Sequence, residues 1–169
     1  MSVMSTPTQP EARVLAFDPG FERLGVAVIE KNTLLYSSCL RTLSTLPFPQ
    51  RLEIIGMEAE RLITRWHPTS IALEEIYFEK NAKTAMQIAQ VRGVLAYTAA
   101  RHRLTLYAYT PLQIKLAVTG YGKSGKAAVA TMVERLITLP KRSRLDDEID
   151  AIAIALTCLA SARYPHTSV

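Results

Sequence analysis

Five carboxylates of this chain stand in apolar surroundings that should not favour charge. Asp18 ends the run Val14-Leu15-Ala16-Phe17 and precedes Pro19-Gly20. Glu74 and Glu75 interrupt Ile71-Ala72-Leu73 before Ile76. Asp147 and Asp150 open a segment whose continuation, Ala151-Ile152-Ala153-Ile154-Ala155-Leu156, is apolar all round and must be buried. A charge in such a place is costly unless it is paired or bound to a cation. Carboxylate oxygens are the donors that hard divalent cations such as Mg²⁺ select. No zinc-type set competes, since His67, His102 and His166 are scattered and only two cysteines occur. Taken singly, most of these acids have ordinary explanations: Asp18 as a turn residue, Glu75 as a solvated strand end, Asp146 or Asp147 as a helix cap. Asp150 is the hardest to explain that way, because it lies a turn inside its helix. Asp147 and Asp150 are three apart and share one helical face. Strand alternation does not choose between Glu74 and Glu75.

The elements that must position these acids follow from periodicity and turn residues. Val14–Phe17 is a short strand stopped at Asp18-Pro19-Gly20. Leu24–Glu30 and Thr33–Arg41 read as a hairpin turning at Lys31-Asn32. A helix is predicted from about Pro49 to Trp66, with Leu52, Ile55, Ala59, Leu62 and Ile63 on one face, and His67-Pro68 ends it. Ser70–Ile76 is a buried strand, Asn81–Arg103 a long helix rich in small residues, and Leu104–Tyr109 another strand. Three helices complete the chain: Pro111 to near Gly120, a stretch reaching Leu139 after the glycine-lysine loop Gly120–Lys126, and Asp146–Ala162. A three-strand meander followed by alternating helices and strands implies an α/β fold, one mixed five-stranded sheet with helices on both faces.

The 169 residues suit a single domain over 13–163, with a disordered extension over 1–12 and a flexible tail over 164–169. Hydrophobic residues at 49% and charged residues at 21% are ordinary for a globular domain and exclude a disordered one. Cys39 and Cys158, each in an apolar stretch, do not make a disulfide scaffold. The longest apolar run, Ala151–Ala160, is shorter than the ~18 residues of a membrane span. With no apolar segment near the start, the expectation is a soluble, cytoplasmic protein without a signal peptide. A net charge of +5 favours a polyanionic partner, nucleic acid before anionic membrane.

Phe17-Asp18-Pro19-Gly20 followed by Gly25-Val26-Ala27-Val28-Ile29 resembles the opening of the RuvC family of Holliday junction resolvases. Ala72-Leu73-Glu74-Glu75-Ile76-Tyr77-Phe78 with Lys80-Asn81, Gln90-Val91-Arg92-Gly93 and Pro111-Leu112-Gln113-Ile114-Lys115 match in order. Asp147-Glu148-Ile149-Asp150-Ala151-Ile152-Ala153-Ile154-Ala155 resembles the family's closing helix. The likeness runs from Val14 to Ala160, and Ala27 departs from it where the family often has a second glycine. It implies a ribonuclease-H-like fold and four metal-binding catalytic acids, which by match are Asp18, Glu74, Asp147 and Asp150. The choice of Glu74 over Glu75 rests on the resemblance alone. Also implied is a structure-specific endonuclease of DNA recombination and repair that cuts four-way junctions symmetrically, leaving a 5′ phosphate and a 3′ hydroxyl. Two Mg²⁺ ions per site, for which Mn²⁺ can substitute, would drive an in-line displacement. Tyr77 matches the family's wedge aromatic, with Phe78 second. Lys80, Lys115, Lys123, Lys126 and Arg142 are the expected DNA contacts, and Lys141 and Arg144 flank Arg142 in a basic connector. Symmetric cutting implies a homodimer, for which the small-residue face of Asn81–Arg103 is a candidate surface, and a RuvA and RuvB type branch-migration motor is a possible partner.

Other readings compete. Gly120–Ala127 comes within one residue of a phosphate-binding loop, but Ala127 stands where a hydroxyl should hold Mg²⁺. The turn at Asp18–Gly20 also occurs in actin-like ATPases, which need two such domains. A catalytically silent junction-binding module and a YqgF-like nuclease acting on RNA are the remaining alternatives.

Overall fold

The computed structural model describes residues 12–75 and 82–163. Tyr77, Phe78 and Lys80 lie outside the described residues, as do the two expected terminal extensions apart from Ala12. The elements are β1 (Arg13–Asp18), β2 (Arg23–Glu30), β3 (Thr33–Arg41), α1 (Phe48–Trp66), β4 (Ser70–Glu74), α2 (Ala82–Arg101), β5 (Thr105–Tyr109), α3 (Pro111–Thr119), α4 (Lys126–Leu136) and α5 (Asp146–Arg163). Their order is the one the sequence implies. The main boundary difference is α4, which stops at Leu136 instead of Leu139. Ile137 turns to extended backbone there, and Thr138 pairs with Thr33 at the start of β3.

The sheet has the strand order β3-β2-β1-β4-β5. β1 lies antiparallel to β2 and parallel to β4, and β4 is parallel to β5. The first three strands meander because short turns can join antiparallel neighbours, whereas β1, β4 and β5 need helical crossovers. Each strand sends alternate residues to opposite faces. Leu15, Phe17, Leu24, Val26, Val28, Ile71 and Leu73 pack with Ile55, Leu62, Val91 and Leu95 of α1 and α2. Val14, Ala16, Ala27, Ile29 and Ala72 pack with α3, α4 and α5 on the other side. Helices therefore cover both faces.

The burial of α5 is the dominant feature of the second face. Every residue from Ala151 to Ala155 is at most 1% exposed, as the absence of a polar face in that segment requires. Small side chains let the helix lie close on the strands: Ala16, Ala27 and Ala72 share one buried cluster with Ala151, Ala153 and Ala155. In α2, Ala85 and Ala99 are buried, while Met86 and Tyr97 are exposed.

Candidate active site

Alternation decides which acids meet. Ala16 and Ala72 face α5, so Asp18 and Glu74, two residues further along their strands, face it as well. The parallel register pairs Phe17 with Leu73, and one step on brings Asp18 level with Glu74 at the carboxyl ends of adjacent strands. Glu75 has the opposite parity, is exposed, and its backbone N–H donates to the Tyr109 carbonyl at 2.8 Å. Asp150, one turn into α5, completes a cleft of about 350 Å³ lined by Asp18, Glu74, Asp150, Lys115 and Lys126 over a floor of Ile114, Val129, Ala153 and Ile154.

Asp147 enters from the side of β2 and β3. A methyl group on Gly25 would lie 1.9 Å from the Asp147 carbonyl oxygen, so α5 starts in direct backbone contact with β2. Gly25 is paired with Asp18 on one side and Cys39 on the other. The missing side chain thus sets Asp147 beside Asp18. The Asp147 carboxylate receives Arg23 Nε at 3.4 Å and the Cys39 thiol at 3.9 Å.

The electrostatics match a crowded, half-desolvated set of acids. Burial, then the charges of Glu74, Asp150 and Asp147, push the Asp18 carboxyl up from 3.8 to about 7, with Lys126 pulling the other way. Burial also raises Glu74, helped by Asp150 and opposed by Lys126, Lys115 and Arg92. Asp150 is raised by burial against the pull of Lys126, whose Nζ donates to Asp150 Oδ2 at 3.3 Å. Among the described residues no three carboxylate, thiol or imidazole groups converge on one point as a closed ligand set. Arg23 draws Asp147 one way and Lys126 draws Asp150 another. The donor chemistry nevertheless fits hard cations: several carboxylates share a cleft, their ionised forms raise one another's affinity for protons, and any cation entering would relieve that repulsion.

A proton held more tightly by Asp18 in the folded chain stabilises the fold at low pH. That contribution is lost as pH rises from 3.8 to about 7. In chelator, Asp18→Asn should therefore melt close to the wild type at pH 4 and several degrees above it at pH 8. A difference in Tm that does not change with pH would show that the Asp18 carboxyl is not desolvated as described.

The remaining expected contacts are distributed differently. Lys115 is half-buried at the cleft wall, and Lys126 stands at the N-terminus of α4 over Asp150. Lys123 is exposed in the preceding loop, away from the cleft lining. That loop joins α3 to α4, whereas a phosphate-binding loop follows a strand, and Ser124 Oγ is bonded to Thr119 Oγ1 at 2.7 Å. The guanidinium of Arg142 lies on Glu148 and Ser37. Lys141 and Arg144 border a second, more basic cleft of about 690 Å³ with Arg135 and Arg142.

Residues that pattern reading did not single out include Arg23 and Cys39 on Asp147, Glu148 beside it, and Arg92, which donates to the Glu74 carbonyl. Arg92 carried a signal, since it is a lone cation between the buried residues Val91 and Leu95. Glu148 resembled any other acid of a helix first turn.

A family model described as "Crossover junction endodeoxyribonuclease RuvC" matches residues 14–158. A protein of that name from Alkaliphilus oremlandii is 38% identical over 147 residues, 85% of this chain and 90% of its own length. Its namesake from Halothermothrix orenii is 39% identical over 147 residues, 85% of this chain and 89% of its own length. Among solved structures, RuvC of Thermus thermophilus in complex with Holliday junction substrate superposes with a TM-score of 0.85 at 30% identity, covering 90% of this chain and 95% of that one.

Proposed function

The chain belongs to the RuvC family of crossover junction endodeoxyribonucleases, and on that premise we propose that Asp18, Glu74, Asp147 and Asp150 carry its reaction. Its activity is endonucleolytic resolution of Holliday junctions, a metal-dependent phosphodiester hydrolysis serving DNA recombination and repair. The observation that carries the assignment is the convergence of Asp18, Glu74 and Asp150 on one cleft, with Asp147 held beside Asp18 through Gly25. Mg²⁺ is the proposed ion, two per site, since four carboxylates nominally balance two divalent charges; Mn²⁺ should substitute. When bound, the ions supply an activated water and the positive charge that the phosphate and the leaving 3′ oxygen need. The acids hold and orient that charge. Ile114, Val129, Ala153 and Ile154 supply the apolar part of the cleft lining. Lys115 and Lys126 stand where a backbone phosphate would approach, and Lys126 must leave Asp150 for it to serve as a phosphate contact.

A homodimer is proposed because two strands of like polarity must be cut symmetrically and each chain holds one site. Lys141 and Arg144, at the basic cleft, are the proposed grip on a second junction arm, and Tyr77 or Phe78 the proposed wedge at the branch point. A branch-migration motor of the RuvA and RuvB type and a cytoplasmic location belong to the same reading. No described helix is long and apolar enough to cross a membrane.

Cleavage of a four-way junction, a linear duplex of the same sequence and an RNA duplex, with Mg²⁺ and with chelator, tests the function. Paired nicks confined to the junction and absent in chelator are expected. Binding without nicking would indicate a silent module, and preferential RNA cleavage would favour the RNA nuclease reading.

A further inference from the structure

We propose that Arg142, Glu148 and Ser37 form a clamp that sets the orientation of the first turn of α5, making Arg142 a positioning residue for Asp147 and Asp150 and not a DNA contact. The inference rests on the assignment of those two acids to the reaction.

Glu148 is 5% exposed, and a carboxylate so placed needs dedicated partners. It has them from two segments, the connector before α5 and β3. Arg142 Nη2 donates to Oε2 at 2.5 Å and Nη1 to Oε1 at 3.2 Å, a two-pronged pair. The Ser37 hydroxyl donates to Oε2 at 2.9 Å, and the Leu145 backbone N–H approaches Oε1 at 3.5 Å. Arg142 Nη2 also reaches Ser37, at 3.0 Å to its carbonyl and 2.7 Å to its hydroxyl. The connector before α5, the helix start and β3 are thereby tied at one point.

The position of that point matters. Ser37 and Cys39 are two apart on β3 and project from the same face, opposite Ala27 and Gly25 of β2. Ser37 holds Glu148, while Cys39 and Gly25 hold Asp147. Neighbouring residues of one helical turn are thus tied to neighbouring positions of one strand, contacts that oppose rolling or sliding of α5 at its N-terminus. Asp150 follows from the same turn. A misplacement of about 1 Å in a reacting constellation can cost ~10²-fold in rate.

The test uses the full chain and a four-way junction, with Arg142→Ala, Glu148→Gln, the double variant, Ser37→Ala and Lys126→Ala. Junction affinity and its salt dependence are measured in Ca²⁺, single-turnover cleavage across a Mg²⁺ titration, and Tm with and without Mg²⁺. The clamp predicts that Arg142→Ala and Glu148→Gln each slow cleavage by ~10²-fold and raise the Mg²⁺ concentration for half-maximal rate. Both should shrink the Mg²⁺-induced rise in Tm, and the double variant should be no worse than the more impaired single one. Junction affinity and its salt slope should stay at wild-type values, whereas Lys126→Ala flattens the slope by ~1. Ser37→Ala removes the hydroxyl that donates to Glu148 and accepts from Arg142 but leaves the two-pronged Arg142–Glu148 pair, so it should show the same pattern more weakly and covers the case in which Arg142→Ala fails to fold. The proposal is overturned if Arg142→Ala weakens binding and flattens the slope as Lys126→Ala does while Glu148→Gln does neither. It is equally overturned if the variants lose only Tm and cleave normally well below it. Asp147→Asn separates the two levels: normal cleavage by that variant removes the premise, while its inactivity alongside normal clamp variants removes only the clamp.

Discussion

Junction cleavage is expected to vanish when Asp18, Glu74, Asp147 or Asp150 is replaced by its amide, while junction binding survives. Asparagine and glutamine keep the shape of the side chain and remove the charge that would hold a divalent cation. The cation's stabilisation of the transition state is worth several kcal/mol. At 1.36 kcal/mol per factor of ten, a loss of ~4 kcal/mol slows the chemical step by about 10³-fold. Binding should persist because affinity for DNA comes mainly from Lys and Arg contacts to phosphate, and none of these acids makes one. Removing a negative charge from the cleft should, if anything, tighten it. Glu75→Gln is the internal comparison: its carboxylate is exposed on the far parity of β4, and cleavage should stay within a few-fold of wild type. Single-turnover nicking in Mg²⁺ and gel-shift affinity in Ca²⁺ read the two effects separately. Normal cleavage by Glu74→Gln together with a dead Glu75→Gln would place the site one residue further along the chain.

Gly25→Ala should be nearly as damaging although it removes no carboxylate. The added methyl would sit 1.9 Å from the Asp147 carbonyl oxygen and 2.6 Å from its carbonyl carbon. Both are backbone atoms, so no rotamer change can relieve the clash, and either α5 or β2 must move. Overpacking of this kind costs ~1–3 kcal/mol. In a domain of this size that corresponds to a fall in Tm of roughly 2–12 °C, taking ~2–4 °C per kcal/mol. The functional cost is larger, because the displaced atoms belong to the turn that carries Asp147. Cleavage should drop by ~10²-fold or more at temperatures where the variant is fully folded. Folded fraction by circular dichroism and nicking rate on the same sample distinguish displacement from unfolding. A Gly25→Ala protein with wild-type Tm and rate would mean that the close approach of α5 to β2 does not hold Asp147.

Much of this architecture was legible in the chain because its signals are local. Val14–Phe17 before Asp-Pro-Gly, the hairpin turning at Lys31-Asn32, and the amphipathic stripe of α1 each depend on near neighbours in sequence, and each element formed where those neighbours put it. The apolar run Ala151–Ala155 declared that α5 is buried, since no face of it could be left in water. What it could not declare is the face of the sheet that α5 covers. That is a property of the assembled fold, and it settles the parity question: once α5 lies on Ala16 and Ala72, Glu74 points into the cleft and Glu75 away from it. The end of α4 at Leu136 has a similar origin, in a pairing of Thr138 with Thr33, a residue more than a hundred positions earlier.

The charged partners divide in the same way. Sequence by itself marked Asp18, Glu74 or Glu75, Asp147 and Asp150 as acids out of place, because the cost of burying charge is visible wherever charge interrupts an apolar run. It gave no sign that Glu148 and Arg142 are partners, since both sit in polar stretches where a charge needs no explanation, and it placed Arg142 among the expected DNA contacts. Their roles come from contacts 105 and 111 residues away in the chain, at Ser37 on β3. Composition and spacing thus marked carboxylates that stand against apolar sequence. Only the tertiary structure decided which of them share a cleft and what holds them there, because direction and distance between segments remote in sequence exist only once the sheet and α5 have closed on each other.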